Sequence, residues 1–280
     1  MVTYLYPSEA ESLAQALCAN GYPVTEAPDA RRLYAMRTPD VSFSIYRSGK
    51  LLLQGRDTEL LLDGYLKDIV RRRYTVVTAG SDESGKGDYF GPLVAAAVLV
   101  DAYSAERLLE MSVQDSKAMA DESVGRTAEA IAQAFKGAWA RVVIGNERYN
   151  ELHTETGSVN RILEWAHAKA LRAVLGDRLD GRVIIDRFTT PARLKRRLPE
   201  GLDVTVVERG ERELPVAAAS VMARAAFLQG LRRLSSQWEM DLPKGAGAPV
   251  VEAARRFVSR HGRAALRRVA KLHFKTTRSL

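Results

Sequence analysis

Residues Gly80-Ser81-Asp82-Glu83-Ser84-Gly85-Lys86-Gly87-Asp88-Tyr89-Phe90-Gly91-Pro92 decide how this chain is read. Two adjacent carboxylates, Asp82 and Glu83, follow the apolar run Tyr74-Thr75-Val76-Val77-Thr78-Ala79. The glycines Gly85, Gly87 and Gly91 allow tight turns and a close approach of backbone to ligand. Beyond Pro92, Leu93 to Val100 is a valine-rich run with strand character. The stretch predicts strand, acidic turn, strand. Gly80 to Gly87 also nearly matches the phosphate-cradling pattern of nucleotide hydrolases, Gly-x-x-x-x-Gly-Lys-Ser/Thr. Against that reading, Gly87 replaces the magnesium-binding hydroxyl, two carboxylates occupy the cradle, and a strand follows where a helix should start. A glycine-rich hairpin with a solvated acidic tip is the plain alternative. Against it, paired carboxylates on a rigid strand end suit a hard cation with oxygen ligands.

The chain has 280 residues, enough for one large domain or a large one with a small companion. It carries 42 basic and 34 acidic residues, a net charge of +8, which suits a polyanionic partner. The single cysteine, Cys18, excludes an intramolecular disulfide and a multi-cysteine zinc site, and fits a reducing cytoplasm. His153, His167, His261 and His273 are dispersed without metal-ligand spacing, which argues against a zinc hydrolase. No secretory leader opens the chain and no apolar run approaches a membrane span, so a cytoplasmic protein with no membrane contact is expected.

Residues 1–70 predict a compact α-β-β-β-α unit. Ser8-Glu9-Ala10-Glu11 is a capping-box pattern for a helix through Cys18, which Asn20-Gly21 ends. Strands are expected from Arg32 to Met36, from Val41 to Tyr46, and around Leu51-Leu52-Leu53 after a Ser48-Gly49 turn. A second helix should run from Glu59 to Val70, with Arg71-Arg72-Arg73 as a basic connector. That connector is either a solvated helix end or a phosphate contact. Residues 71–280 alternate between strand and helix patterns. Strands are expected from Ala140 to Ile144, Arg182 to Asp186 and Val204 to Val207. Helices are expected from Ala105 to Met111, Thr127 to Phe135, after Ser158, and from Pro215 to Leu231, before a basic helical end.

Asp82, Glu83 and Asp186 each stand at or just beyond the end of an expected strand, and such positions can converge on one sheet edge. Glu211, before the alanine-rich helix, is a fourth candidate, with Glu208 and Glu213 competing for the role. Clustered carboxylates repel unless cations neutralise them. A pair of divalent ions held this way can clamp the attacking and leaving oxygens of a phosphoryl displacement.

Asp82 to Pro92 resembles the signature of ribonuclease HIII, a bacterial type 2 ribonuclease H. The resemblance continues through Asp115-Ser116-Lys117, Asn146-Glu147-Arg148-Tyr149-Asn150, Ile185-Asp186-Arg187-Phe188 and Val216-Ala217-Ala218-Ala219-Ser220. It extends to Leu242-Pro243-Lys244-Gly245-Ala246-Gly247 and Lys271-Leu272-His273-Phe274. Tyr46-Arg47-Ser48-Gly49-Lys50 and Leu53-Gln54-Gly55 are similar to the family's TATA-binding-protein-like substrate domain. The resemblance implies an α/β fold, a ribonuclease H-like mixed sheet flanked by helices, preceded by a small α+β substrate-binding domain. It implies a metal-dependent endonuclease that hydrolyses the RNA strand of RNA–DNA hybrids with Mg²⁺ or Mn²⁺, leaving 5′-phosphate and 3′-hydroxyl ends. Asp82, Glu83 and Asp186 match the metal-binding acids, and Glu211 becomes the fourth if a one-residue gap is allowed. Gly85, Lys86 and Gly87 can set backbone N–H groups against the hybrid or form a tight turn alone. Ser116 and Lys117 can meet a phosphate or lie in a solvated loop. Tyr46 with Lys50 can stack on and steer nucleic acid, the alternative for Tyr46 being cross-strand packing. No obligate protein partner is implied, and a monomer is expected. The rival readings are a non-catalytic hybrid-binding module and a nucleotide hydrolase.

Overall fold

Alternation in Val41–Tyr46 builds the first sheet: Val41, Phe43 and Ile45 are buried, while Ser42, Ser44 and Tyr46 face the other way. The computed structural model describes residues 1–27, 29–113 and 119–280; Asp115, Ser116 and Lys117 lie outside the described residues. Elements run in the order β1 (Val2–Tyr4), α1 (Pro7–Ala19), β2 (Thr25–Glu26), β3 (Arg32–Arg37), β4 (Val41–Tyr46) and β5 (Lys50–Gly55). They form an antiparallel five-stranded sheet, β1-β5-β4-β3-β2, and Leu13 and Leu17 of α1 share its core. The sequence pattern showed three of these strands. β1 and β2, with three and two residues, are too short for periodicity to register. The capping residue is also displaced: α1 begins at Pro7, and Glu9, not Glu11, accepts the Tyr6 N–H at 2.7 Å.

The helix that follows is broken into α2 (Thr58–Leu61), a π turn over Leu62–Leu66 and α3 (Lys67–Arg73). Arg71, Arg72 and Arg73 are not a connector; they form the last turn of α3, where cations complement the helix dipole. Arg73 is buried in an ion pair with Glu9, and Arg71 bonds Glu106 at 2.7 Å.

The second sheet is assembled from β6 (Thr78–Ser84), β7 (Leu93–Val100), β8 (Trp139–Ile144), β9 (Arg182–Asp186) and β10 (Asp203–Val207). Its order is β10-β9-β6-β7-β8, with β9 parallel to β6 and β10 and the remaining pairs antiparallel. The helices are α4 (Ala102–Glu110), α5 (Asp121–Ala134), α6 (Asn146–Thr156), α7 (Val159–Leu175), α8 (Pro191–Lys195), α9 (Leu214–Gln237), α10 (Ala248–His261) and α11 (Lys275–Arg278). α7 and α9 both pack on β6 and β7, so β7 is buried along nearly its whole length. At Gly80 the backbone of β6 meets Pro215 and Val216 so closely that a β-carbon would collide with it.

Two expectations need correction. Tyr74 to Val77 is not strand: Tyr74 caps α3, and β6 starts at Thr78 and runs through the acids. Asp82 and Glu83 therefore stand inside the ladder, opposite Ala96 and Ala95, because β7 pairs with β6 as far as Ser84. The expectation of no span-length apolar run also fails for α9, a 24-residue helix long and apolar enough to cross a membrane. In its most apolar window 78 % is buried inside the protein, the pattern of a core helix.

Candidate active site

Asp82, Glu83 and Asp186 line one cleft of about 590 Å³, together with Gly85, Lys86 and Gly87. The two parallel strands β6 and β9 carry the acids to the same end of the sheet, Ser81 lying opposite Ile185. The Asp82 carboxylate accepts the N–H of Glu83 at 2.8 Å, and that of Asp186 accepts the N–H of Gly210 at 3.2 Å. Among the described residues, no three of His, Cys, Asp and Glu are gathered closely enough to hold a metal ion. The acids share a cleft, then, without a preformed coordination point.

Glu83 has the most elaborate surroundings. Its Oε2 lies 3.2 Å from His167 Nε2 and its Oε1 lies 3.4 Å from Lys86 Nζ. Burial pushes its pKa up, but the hydrogen bond from His167 and the Lys86 charge outweigh burial and hold the carboxyl below the usual range. His167 is buried, its Nδ1 lies 2.7 Å from Ser81 Oγ, and Phe188 stacks on its ring at 4.5 Å. Both contacts are met when Nε2 carries a proton toward Glu83, with the Ser81 hydroxyl donating to Nδ1 or accepting from it. Treating the four histidines as dispersed misses His167. The available signal was its place on the apolar face of α7, four residues after Leu163 and three before Ala170.

The Gly85–Pro92 turn closes the cleft. Gly85 has φ +90° and packs against the Pro92 carbonyl, a conformation open to glycine alone at little cost. Fully buried Lys271 donates from Nζ to the carbonyls of Asp88 at 2.9 Å and Gly91 at 2.6 Å, and Asn146 Nδ2 donates to Gly91 at 2.9 Å. Burial lowers the Lys271 pKa to about 7. Asp88, Ser220, Arg224 and Lys244 also line the cleft. Asp121 holds Arg224 at 2.7 Å and Lys244 at 2.6 Å, so both cations are anchored at its rim.

The three competing glutamates are separated clearly. Glu213 is buried and accepts hydrogen bonds from the hydroxyls of Tyr6 and Tyr74, so it joins the first sheet's α1 entry to α9. Glu208 is exposed and paired with Arg187 at 2.9 Å. Glu211 sits on a 3₁₀ turn, Gly210–Arg212, beside the Gly210 N–H that reaches Asp186, but does not line the acid cleft. Tyr46 and Lys50 are half-buried on the β4–β5 hairpin of the other sheet.

The mixed β10-β9-β6-β7-β8 sheet with carboxylates lining one cleft, together with the relatives of this chain, places it among nucleases of the ribonuclease H type. The family model for Ribonuclease HII matches residues 79–277. The chain is 34 % identical to Ribonuclease HIII of Chlamydia pneumoniae over 87 % of this chain and 86 % of that protein. It is 33 % identical to Ribonuclease HIII of Chlamydia abortus over 98 % and 95 %. The crystal structure of Bst-RNase HIII in complex with Mn²⁺ superposes with a TM-score of 0.71 at 30 % identity, covering 99 % of this chain and 96 % of that one. The chain belongs to the ribonuclease HIII family, a branch of the type 2 ribonucleases H.

Proposed function

We propose that the chain hydrolyses the RNA strand of RNA–DNA hybrids, with Mg²⁺ or Mn²⁺ held by Asp82, Glu83 and Asp186. The observation that carries the reading is the lining of one cleft by these three acids. The donor set fits a hard divalent cation: it is all oxygen, and the backbones of Asp82 and Glu83 are fixed in the β-ladder. When bound, two such ions activate water and stabilise the leaving oxygen, giving 5′-phosphate and 3′-hydroxyl ends. Glu211, half-buried on its 3₁₀ turn, is the fourth acid in this reading, brought to the cleft by a rotation of that turn.

Within the chain, His167 keeps Glu83 ionised and pointed along β6. The Gly85-Lys86-Gly87 backbone and the rim cations Arg224 and Lys244 meet phosphates. The first sheet works as a substrate-binding arm through the face that carries Tyr46, and residues beyond α3 carry the chemistry. The protein acts as a monomer in a reducing cytoplasm, consistent with its one free cysteine, Cys18.

The test is cleavage of a labelled RNA–DNA hybrid, beside RNA and DNA duplexes of the same sequence, with and without Mg²⁺ or Mn²⁺. Cleavage of the hybrid's RNA strand alone, only with divalent metal and with 5′-phosphate ends, is expected. Metal-free cleavage, or metal-free binding with no cleavage under any condition, overturns the reading.

A further inference from the structure

Beside α7 lies a recess of about 740 Å³, larger than the acid cleft, whose walls include Arg161, Trp165, Arg196 and Arg197 over Ile162. A second recess of about 370 Å³ continues it, sharing Trp165, Arg196 and Arg197 and adding Lys169 and Arg172. Trp165 lines both recesses and is 40 % exposed, with the Lys169 ammonium 5.2 Å from its ring centroid, where a base stacking on the indole would displace it. The segment Arg193-Leu194-Lys195-Arg196-Arg197 places four cations in five residues, and fully buried Leu194 pins it to the fold.

The charge here is largely uncompensated. Arg148 is paired with Glu151 at 3.0 Å and Arg193 with Glu164 at 3.2 Å. Among the described residues, Arg161, Arg196 and Arg197 have no carboxylate within 4.0 Å. Glu164, the one acid of the lining, is buried and committed to Arg193 and to Thr189 Oγ1, which donates to it at 2.6 Å.

The same bonds tie the trough to the acid cleft. Thr189 is three residues beyond Asp186, a chain reach of roughly 11 Å at most. Glu164 is one turn of α7 before His167, which bonds Glu83. Guanidinium forks match phosphate geometry, and an exposed indole is a stacking platform for a base. Bases in an intact duplex are already stacked on one another, so an aromatic wall between arginines suits unpaired nucleotides. An acidic peptide would satisfy the charge too, but the short links to the acid cleft, Thr189 to Asp186 along the chain and Glu164 to His167 along α7, together with the exposed indole, favour nucleic acid.

We propose that this trough binds unpaired nucleotides of a strand running on from the hybrid, with phosphates on Arg161, Arg196 and Arg197 and a base on Trp165. The proposal rests on the hybrid-nuclease reading and adds a preference for junctions between hybrid and single strand.

Two measurements test it in the full-length protein. Binding of fluorescein-labelled oligothymidylate is followed by anisotropy without divalent metal, for wild type, Trp165→Ala, Trp165→Phe and Arg196→Gln/Arg197→Gln. A weakening of about tenfold is expected for the double variant and for Trp165→Ala, with Trp165→Phe close to wild type. KM and kcat are then measured on a blunt hybrid and on the same hybrid with a single-stranded extension at either end. Wild type should show a several-fold lower KM for one extended substrate, and the variants should lose that advantage while blunt-substrate kinetics stay unchanged. Equal KM values for blunt and extended hybrids in wild type overturn the proposal, as does unchanged oligothymidylate binding in the variants. Binding of polyglutamate but not oligothymidylate overturns it in favour of an acidic-peptide site. If wild type cleaves no hybrid at all, the hybrid-nuclease reading fails, and the anisotropy still decides the trough.

Discussion

In β4 of the first sheet every second residue is buried, whereas β7 of the second sheet buries seven of its eight. The first sheet has its apolar side packed in the core and leaves Ser42, Ser44 and Tyr46 on the open side. In the second, α7 and α9 cover the central strands β6 and β7, so the middle of that sheet offers no face to a substrate. Toward one end of its central strands an open cleft remains, and there the sequence places Asp82, Glu83 and Asp186. A sheet with a free face can offer breadth, which suits binding; a sheet closed on both sides offers an edge, which suits a small, rigid chemical site. The two are nevertheless joined, since Glu213 ties Tyr6 to Tyr74 and one hydrophobic cluster runs from Leu13 to Ala270.

The sharpest way to break this comparison is to add one methyl group to each sheet. Gly80→Ala drives a β-carbon into the backbone of Pro215 and Val216 and should cost about 3 kcal/mol in urea denaturation. Ser44→Thr, on the open face, should change stability by no more than about 0.5 kcal/mol. Equal costs would mean that the sheets are not covered differently.

The join between the sheets should give the next largest effect. Glu213→Gln leaves a buried hydrogen-bonded cluster mismatched and should cost about 2 kcal/mol. Glu208→Gln should be neutral in both stability and turnover. Glu211→Gln should keep its melting temperature and lose turnover, as expected of a fourth acid; normal turnover removes it from that role.

Lys271 supplies a pH-dependent contrast. Its folded pKa of about 7 lies below the ordinary lysine value near 10.4. Between these values the unfolded chain holds a proton that the folded chain does not, so stability rises with pH across that window. Lys271→Met removes this rise. Wild type should therefore gain stability relative to the variant from pH 7 to pH 9.5; a constant difference would show a charged lysine throughout.

The smallest effects belong to the open face. Tyr46→Ala and Lys50→Gln should each raise KM a few-fold with kcat unchanged. Lys50→Gln should also flatten the salt dependence, by roughly 0.7 to 0.9 log units for each phosphate that the side chain neutralises. A fall in kcat instead would show that the first sheet shapes the cleft.

How much of this was legible in the sequence follows from the range of the interactions. The strands Val41–Tyr46, Leu93–Val100 and Arg182–Asp186 match the expected bounds, because period-two burial or a β-branched run is a local signal. The start of β6 was misplaced because its pairing with β7, not its own composition, sets its extent. β1 and β2 are held by partners elsewhere in the chain and carry no pattern of their own. The acids were legible from Gly80 to Pro92 as chemistry, but what His167 and Lys271 do to that stretch was not. Both act on that stretch from distant helical or C-terminal positions, and only the fold reveals what they touch.

In the proposed function Asp82, Glu83 and Asp186 perform metal-dependent cleavage at the strand ends, apart from substrate binding. Asp82→Asn keeps the shape of β6 and removes one negative ligand, so a single experiment compares its affinity for an RNA–DNA hybrid with its turnover in Mg²⁺ or Mn²⁺. The account predicts a folded protein that binds the hybrid within a few-fold of wild type and cleaves it slower by about three orders of magnitude or more. Near-normal turnover by a folded Asp82→Asn protein would contradict it.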